Sequence, residues 1–445
     1  MSKIVLIGAN HAGTAAANTI LDNYPGSRLV IFDRNSNISY LGCGTALWVG
    51  RQIENPEGLF YCSKDILESK HATVHMETEV THIDFENKVV HATGKDGKAF
   101  SENYDRLILA TGSLPITPSI PGVELQNVEH VKLFQDGQRL NQLLDDPAIQ
   151  NVAVVGAGYI GVEVAEAIHR RGKKALLFEA AETSLNGYYD SWFTQDMDAI
   201  LQKKGIELHF GETVQQIEGP IKATGLVTNK GRYKADLVIL AIGFRPNTAL
   251  AGGRLQTASH GAFKVDLHQQ TSYANVYAIG DCATIYSNAL QAESYIALAT
   301  NAVRSGIVAA HNACGTPLEA AGAQGSNGIC IFGYKMVSTG LSAHAAEAAG
   351  YQAATADYED LQKPAFITNE ENHKVKIRIV YDKATRRVLG AQMASYQDIS
   401  MGIHMFSLAV EEQVTIDKLK LLDIFFLPHF NQPYNYMTMA ALSAK

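Results

Sequence analysis

The stretch Asn151-Val152-Ala153-Val154-Val155-Gly156-Ala157-Gly158-Tyr159-Ile160-Gly161-Val162-Glu163 decides the fold. An apolar strand, Asn151 to Val155, runs into a turn with glycine at 156, 158 and 161. Helical spacing follows from Val162 to Arg171, then a second strand, Lys174 to Phe178, that ends at Glu179. Each glycine has its own physical reason. The first permits the tight turn, the second lets backbone approach a pyrophosphate, the third packs helix on strand, and the helix N-terminus offers phosphates a positive field. Glu179 comes 18 residues after Gly161, where an acid takes the ribose hydroxyls. Ala180-Ala181-Glu182 follows it, with no arginine to receive a 2′-phosphate, so this site is expected to prefer NADH over NADPH.

The same plan opens the chain. Lys3 to Ile7 reads as a strand, Gly8-Ala9-Asn10-His11-Ala12-Gly13 as the turn, Thr14 to Leu21 as a helix, and Arg28 to Phe32 as a strand ending in Asp33, 20 residues after Gly13. Asn10 stands where the middle glycine would be. A lone glycine fingerprint is weak evidence; two, each between strand and helix and each followed by an acid, predict an α/β protein with two Rossmann-like halves. Two further apolar strands, Tyr104 to Leu109 before Ala110-Thr111-Gly112 and Ala235 to Ile242 before Gly243, stop at small-residue turns. The proline-containing stretches after them, Ser113 to Pro115 and Phe244 to Asn247, suit chain crossings. Thr271 to Asp281 reads as a strand ending in Gly280-Asp281, where the aspartate can accept hydrogen bonds from a polyol such as a ribityl chain.

Composition narrows the function. At 445 residues, 46% hydrophobic, the chain is long enough for two or three domains. Its longest apolar runs, such as Leu237 to Ile242, fall far short of the ~20 residues of a membrane span, and its start has no signal-peptide pattern, which leads us to expect a cytoplasmic protein off the membrane. A net charge of −8, with no basic run longer than Arg170 to Lys174, disfavours nucleic acid. Five cysteines, odd in number and without C-x-x-C, argue against a disulfide framework and against a metal site.

With these motifs the chain resembles the flavoprotein reductases with two dinucleotide-binding domains, and within them the branch of NADH oxidases, NADH peroxidases and coenzyme A disulfide reductases. The resemblance implies an FAD domain of residues 1–113 and 245–323, an NAD domain of 114–244, and an α+β C-terminal dimerisation domain of 324–445, hence a homodimer. It places FAD at Gly8, Asn10, Gly13, Asp33, Ala110, Thr111, Gly112, Gly280 and Asp281, and NADH at Gly156, Gly158, Tyr159, Ile160, Gly161, Glu179 and Gly243. Read from the residues alone, the C-terminal third shows only a strand-like Val375 to Tyr381 and a helix-like Ser400 to Glu411.

The branch is chosen at Ile38-Ser39-Tyr40-Leu41-Gly42-Cys43-Gly44-Thr45-Ala46-Leu47-Trp48. Cys43 reads as lying at a helix start, where the macrodipole favours a thiolate. Disulfide-reducing relatives carry a second cysteine five positions on; here that residue is Trp48. A lone thiolate beside a flavin suits cycling through a sulfenic acid. The alternative is a buried inert cysteine, the reading given to Cys62, Cys282, Cys314 and Cys330. His11 is either a chain-holding turn residue or, by resemblance to the oxidases and peroxidases, a group facing Cys43 across the flavin that donates a hydrogen bond to peroxide or the sulfenate or assists proton delivery. By resemblance Tyr159 covers the flavin until nicotinamide displaces it. Glu163 reads equally as a helix-face acid and as a cofactor contact. The tail Asp423 to Asn431, with Phe425 and His429, resembles the family's segment that reaches the partner's active site, or else forms apolar dimer core. No glutamate follows Glu412, so a C-terminal His-Glu acid/base pair cannot form there.

The resemblance implies an enzyme that oxidises NADH with O2, by four electrons to water, with H2O2 consumed at Cys43. An NADH peroxidase is the nearest alternative; a coenzyme A disulfide reductase or a non-enzymatic redox sensor stands further off.

Overall fold

Lys3–Ile7 pairs in parallel with Arg28–Phe32 on one side and Arg106–Leu109 on the other. The Val-, Ile- and Leu-rich runs are buried on both faces, as a parallel sheet covered by helices requires. The structure, a computed structural model, describes residues 2–445. Thr73–His75 and Val276–Ala278 complete a five-stranded sheet, so a strand from far along the chain joins the N-terminal set. The second fingerprint builds a matching sheet in which Asn151–Val155 lies between Lys174–Glu179 and Leu237–Leu240, with Glu207–Phe210 and Val128–His130 at the edges. In both, the fingerprint strand has its sequence neighbour on one side and a late strand on the other. The connection therefore reverses direction there, and the carboxyl ends of the strands open a crevice for ligand.

Both fingerprint helices begin three residues earlier than the periodicity predicts, at His11 and Tyr159, and run to Asn23 and Arg170. The turn residues His11-Ala12-Gly13 and Tyr159-Ile160-Gly161 already have helical backbone, which apolar spacing does not register. Thr271 to Asp281 is corrected too: only Val276–Ala278 is strand, because Asn275 has φ 66° and Gly280–Cys282 forms a 3-10 turn. The proline stretches pair with each other as a ribbon, Ser113–Pro115 against Phe244–Pro246, so the two crossings run side by side.

The last third is a five-stranded antiparallel sheet, ordered Asn327–Ile331, Tyr334–Gly340, Val388–Ser395, Lys374–Asp382, Ala353–Leu361, backed by the helix Ser400–Glu411. It docks on the second half through a shared apolar core that includes Ile329, Ile331 and Met336, and through charge: Lys376 Nζ lies 2.6 Å from Asp196, and Arg378 lies 3.2 Å from Asp190. Leu421, Phe425, Phe430 and Tyr434 stand largely exposed, an apolar face on this domain. Among the described residues no helix is long and apolar enough to cross a membrane.

Candidate functional site

The two fingerprints fold into the same hydrogen-bonded unit. Ala9 N–H donates to Asp33 Oδ2 at 2.7 Å, and Ala157 N–H to Glu179 Oε2 at 2.8 Å. The other oxygens accept from Asn35 N–H at 2.8 Å and Ala181 N–H at 3.0 Å. Each strand-end acid is thus fixed over its own turn, where it can also receive ribose hydroxyls. Burial pushes the Asp33 carboxyl up, against the pull of those backbone donors.

Gly8 has φ +95°, and a Cβ there would lie 2.2 Å from the carbonyl oxygen of Ala110. The strand end Ala110-Thr111-Gly112 is therefore pressed under the first turn. Close packing also governs the third glycines: a Cβ on Gly13 or Gly161 would sit 1.9 or 1.8 Å from the carbonyl oxygen of Gly8 or Gly156. Gly158 differs, since a Cβ there meets nothing within 4 Å, which leaves the turn open to an approaching pyrophosphate. Asn10 adopts φ −83°, ψ −152°, close to Gly158 at φ −73°, ψ −170°, and is exposed. Its side chain leaves the turn unchanged, so both cradles fit a dinucleotide.

Near the first cradle, Ser113 Oγ donates to Asp281 Oδ2 at 2.7 Å, and Lys132 Nζ lies 2.8 Å from Ser113 Oγ and 3.4 Å from the same carboxylate oxygen. Gly280 N–H donates to Ser305 Oγ at 3.0 Å, which fixes the Gly280-Asp281 turn. Thr111 Oγ1 donates to the Asn247 carbonyl at 2.6 Å, and Asn247 Nδ2 returns a bond to the Thr111 carbonyl. Gly112 and Gly243 both sit at positive φ where the chain crosses. A cation, a hydroxyl and a carboxylate at one end of an apolar sheet suit the polyol and phosphate arm of FAD.

Cys43 is exposed, in the 3-10 turn Gly42–Gly44 that leads into the five-residue helix Thr45–Val49. Its sulfur nonetheless lies against enough protein that burial, with the negative field of Glu163, pushes the thiol above its ordinary pKa; the N–H groups of Cys43 and Gly44 pull the other way. The expected helix-start thiolate is corrected here, since so short a helix supplies too little field to overcome desolvation. Trp48 is spent on packing: its ring stacks on Phe134 at 5.1 Å and 9°. The expected burial is corrected for two other cysteines, since Cys314 is half-buried and Cys330 exposed, while Cys62 and Cys282 are buried. Cys330 faces outward because its strand alternates, with Ile329 and Ile331 pointing into the core.

His11 is the first residue of its helix, and its Nδ1 lies 3.0 Å from the Tyr61 hydroxyl with the rings stacked at 5.8 Å. Burial lowers its pKa, Asp281 raises it and Lys132 lowers it, for a net fall. The imidazole is therefore neutral at pH 7. Burial pushes the Tyr61 hydroxyl up to about 12, so it keeps its proton. When Tyr61 donates to Nδ1, the ring proton resides on Nε2, free to donate elsewhere. No hydrogen bond joins His11 to Cys43.

Glu163 shares a face of the second fingerprint helix with Ala167 and Arg171, by the i, i+4, i+8 rule. Arg171 Nη1 donates to the Val49 carbonyl at 3.0 Å, and a Cβ on Gly50 would lie 3.1 Å from Ala167 Cα, so this face meets the Cys43 helix. Burial, then Glu166, pushes the Glu163 carboxyl up to about 7. Tyr159 opens the same helix, and Ile160 packs against the core of this half. Tyr61, Lys132 and Asn327 were not found by sequence reasoning, because each reaches the site across 19 to 168 residues with no motif around it, and Ser113 was read only as part of a chain crossing.

The family described as pyridine nucleotide-disulphide oxidoreductase matches residues 2–306, and its dimerisation domain matches residues 327–437. Proteins named NADH oxidase from Streptococcus pneumoniae serotype 4 and from Lactococcus lactis subsp. cremoris are each 56% identical, over the whole of both chains. The water-forming NADH oxidase from Lactobacillus brevis, solved with NADH bound, is 34% identical and superimposes with a TM-score of 0.96, covering 100% of this chain and 98% of that one. The α/β fold, the dimerisation domain and the reading as an FAD- and NADH-dependent oxidoreductase accord with these findings. With a family match over more than half its length, the chain belongs to the pyridine nucleotide-disulphide oxidoreductase family.

Proposed function

We propose that this oxidoreductase is an NADH oxidase that reduces O2 to water by four electrons, with the cysteine Cys43 cycling between thiolate and sulfenic acid. The observation that carries the reading is a lone, exposed thiol at Cys43 whose would-be disulfide partner position holds the packed Trp48. The names of the relatives at 56% identity and of the Lactobacillus brevis enzyme support it.

Asp33, the turn from Gly8 to Gly13, Ala110 to Gly112 and Gly280-Asp281 would hold FAD, within residues 1–113 and 245–323. Gly156 to Gly161, Glu179 and Gly243 would hold NADH, within 114–244, and 324–445 would join two copies as a cytoplasmic homodimer. Bound FAD supplies hydride acceptance from NADH and electron transfer to oxygen. The chain's part is to finish the reduction. Cys43 attacks H2O2 as the thiolate, the minor form that its raised pKa leaves at neutral pH, forming an S–O bond and breaking O–O; hydroxide leaves and takes a proton to become water. His11, neutral with a proton on Nε2, donates a hydrogen bond to the departing oxygen, and solvent supplies the proton that makes it water. Two electrons from a second NADH and one proton return the sulfenic acid to thiolate with release of the second water.

An oxygen-electrode trace with NADH, interrupted by catalase, tests this. A water-forming oxidase returns little oxygen on catalase addition; return of half the oxygen consumed signals peroxide as product, and no oxygen uptake, with NADH consumed only when peroxide is added, signals a peroxidase.

A further inference from the structure

The hydroxyl of Tyr159 is held by the C-terminal domain. It donates to Asn327 Oδ1 and lies 2.8 Å from the Tyr189 hydroxyl. The same Oδ1 is 3.4 Å from Tyr189 and accepts from Ser338 Oγ at 3.1 Å, while Asn327 Nδ2 donates to the Gly325 carbonyl at 2.7 Å. That last bond sets the amide's orientation, with its oxygen turned to the hydroxyls. Asn327 and Ser338 are partners across adjacent strands, so the node is built into the sheet. The Tyr159 ring also packs edge-on against Tyr188 at 4.5 Å and 82°. Burial, with Tyr189 beside it, raises the Tyr159 hydroxyl well above 10, so it remains a donor throughout the working pH range.

We infer that Asn327, with Tyr189 and Ser338, is a latch on Tyr159 that holds its ring where nicotinamide must enter, so that the C-terminal domain controls admission of the nucleotide. The inference rests on the reading, which the family resemblance implies, that the Tyr159 ring covers the flavin until nicotinamide displaces it. A half-buried hydroxyl that swings away gives up two partners, and the groups left behind lose theirs. Only the fraction of molecules with the latch open can bind nicotinamide, and the apparent affinity falls by that fraction. Asn327 is thus a positioning residue, acting through Tyr159 without touching substrate.

The test uses the FAD-loaded enzyme, with NAD+ affinity measured by titration calorimetry and flavin bleaching by NADH measured in stopped flow. Tyr159→Phe keeps the ring and removes the latch; Asn327→Ala removes the latch from the other side. Each is expected to tighten NAD+ binding about threefold to tenfold, with the double variant no tighter than either single, and Asn327→Ala, which lies outside the nucleotide cradle, is expected to change the limiting bleaching rate less than about twofold. Tyr159→Ala removes the ring and reports on the gate. If it tightens NAD+ while Tyr159→Phe does not, the latch is wrong and the gate stands. If Tyr159→Ala leaves NAD+ affinity unchanged, the gate itself fails. Should Asn327→Ala lose its flavin, Tyr159→Phe alone decides.

Discussion

Glu163 sets the electrostatics of Cys43 from the neighbouring helix: its carboxyl, pushed up to about 7 by burial and by Glu166, is one of the two causes that raise the Cys43 thiol. Two negative charges there are disfavoured together. Above pH 7 Glu163 is ionised and opposes thiolate formation; below pH 7 it is neutral and does not.

Glu163→Gln should therefore make Cys43 more reactive only on the alkaline side. Alkylation of Cys43 by iodoacetamide, followed by mass spectrometry of the labelled peptide, should quicken about threefold at pH 8 and be unchanged at pH 6. Equal rates at both pH values in variant and parent would separate Glu163 from the thiol.

Glu179 receives Ala157 N–H and Ala181 N–H, which leaves its carboxylate over the second turn. Glu179→Gln should narrow the preference for NADH over NADPH by about 1 to 3 kcal/mol, roughly 5- to 150-fold in the ratio of kcat/KM values. An unchanged ratio would remove Glu179 from ribose recognition.

The architecture was legible where a local rule had one solution. Strand, glycine turn, helix and strand-end acid recur with fixed spacing, so Asp33 and Glu179 could be placed from sequence, and both are bonded over their turns. Boundaries failed where turn residues are already helical without apolar spacing, as from His11 to Gly13 and from Tyr159 to Gly161. The Cys43 thiol was misjudged because position in a helix is local, whereas desolvation and the charge on Glu163 come from packing. Tyr61, Lys132 and Asn327 were invisible for the same reason: tertiary contact makes them neighbours of His11, Asp281 and Tyr159.

His11→Ala should leave FAD content nearly intact, since the turn's backbone and Asp33 remain, yet slow the peroxide-reducing step by about 10²-fold. Tyr61→Phe frees Nδ1 and should give a smaller loss, about threefold, because either ring nitrogen can then carry the proton. Single-turnover reaction of the reduced enzyme with H2O2 measures both. A full-rate His11→Ala enzyme would return the residue to holding the chain.

The central claim is that Cys43 alone consumes the peroxide made at the flavin, and the ratio of H2O2 released to NADH oxidised in Cys43→Ser and parent tests it most directly. Serine is nearly isosteric but has no accessible anion at neutral pH and no sulfenic acid. The parent should release little peroxide, while Cys43→Ser should keep oxidising NADH and release about one H2O2 per NADH. The same peroxide ratio in both proteins would contradict the account.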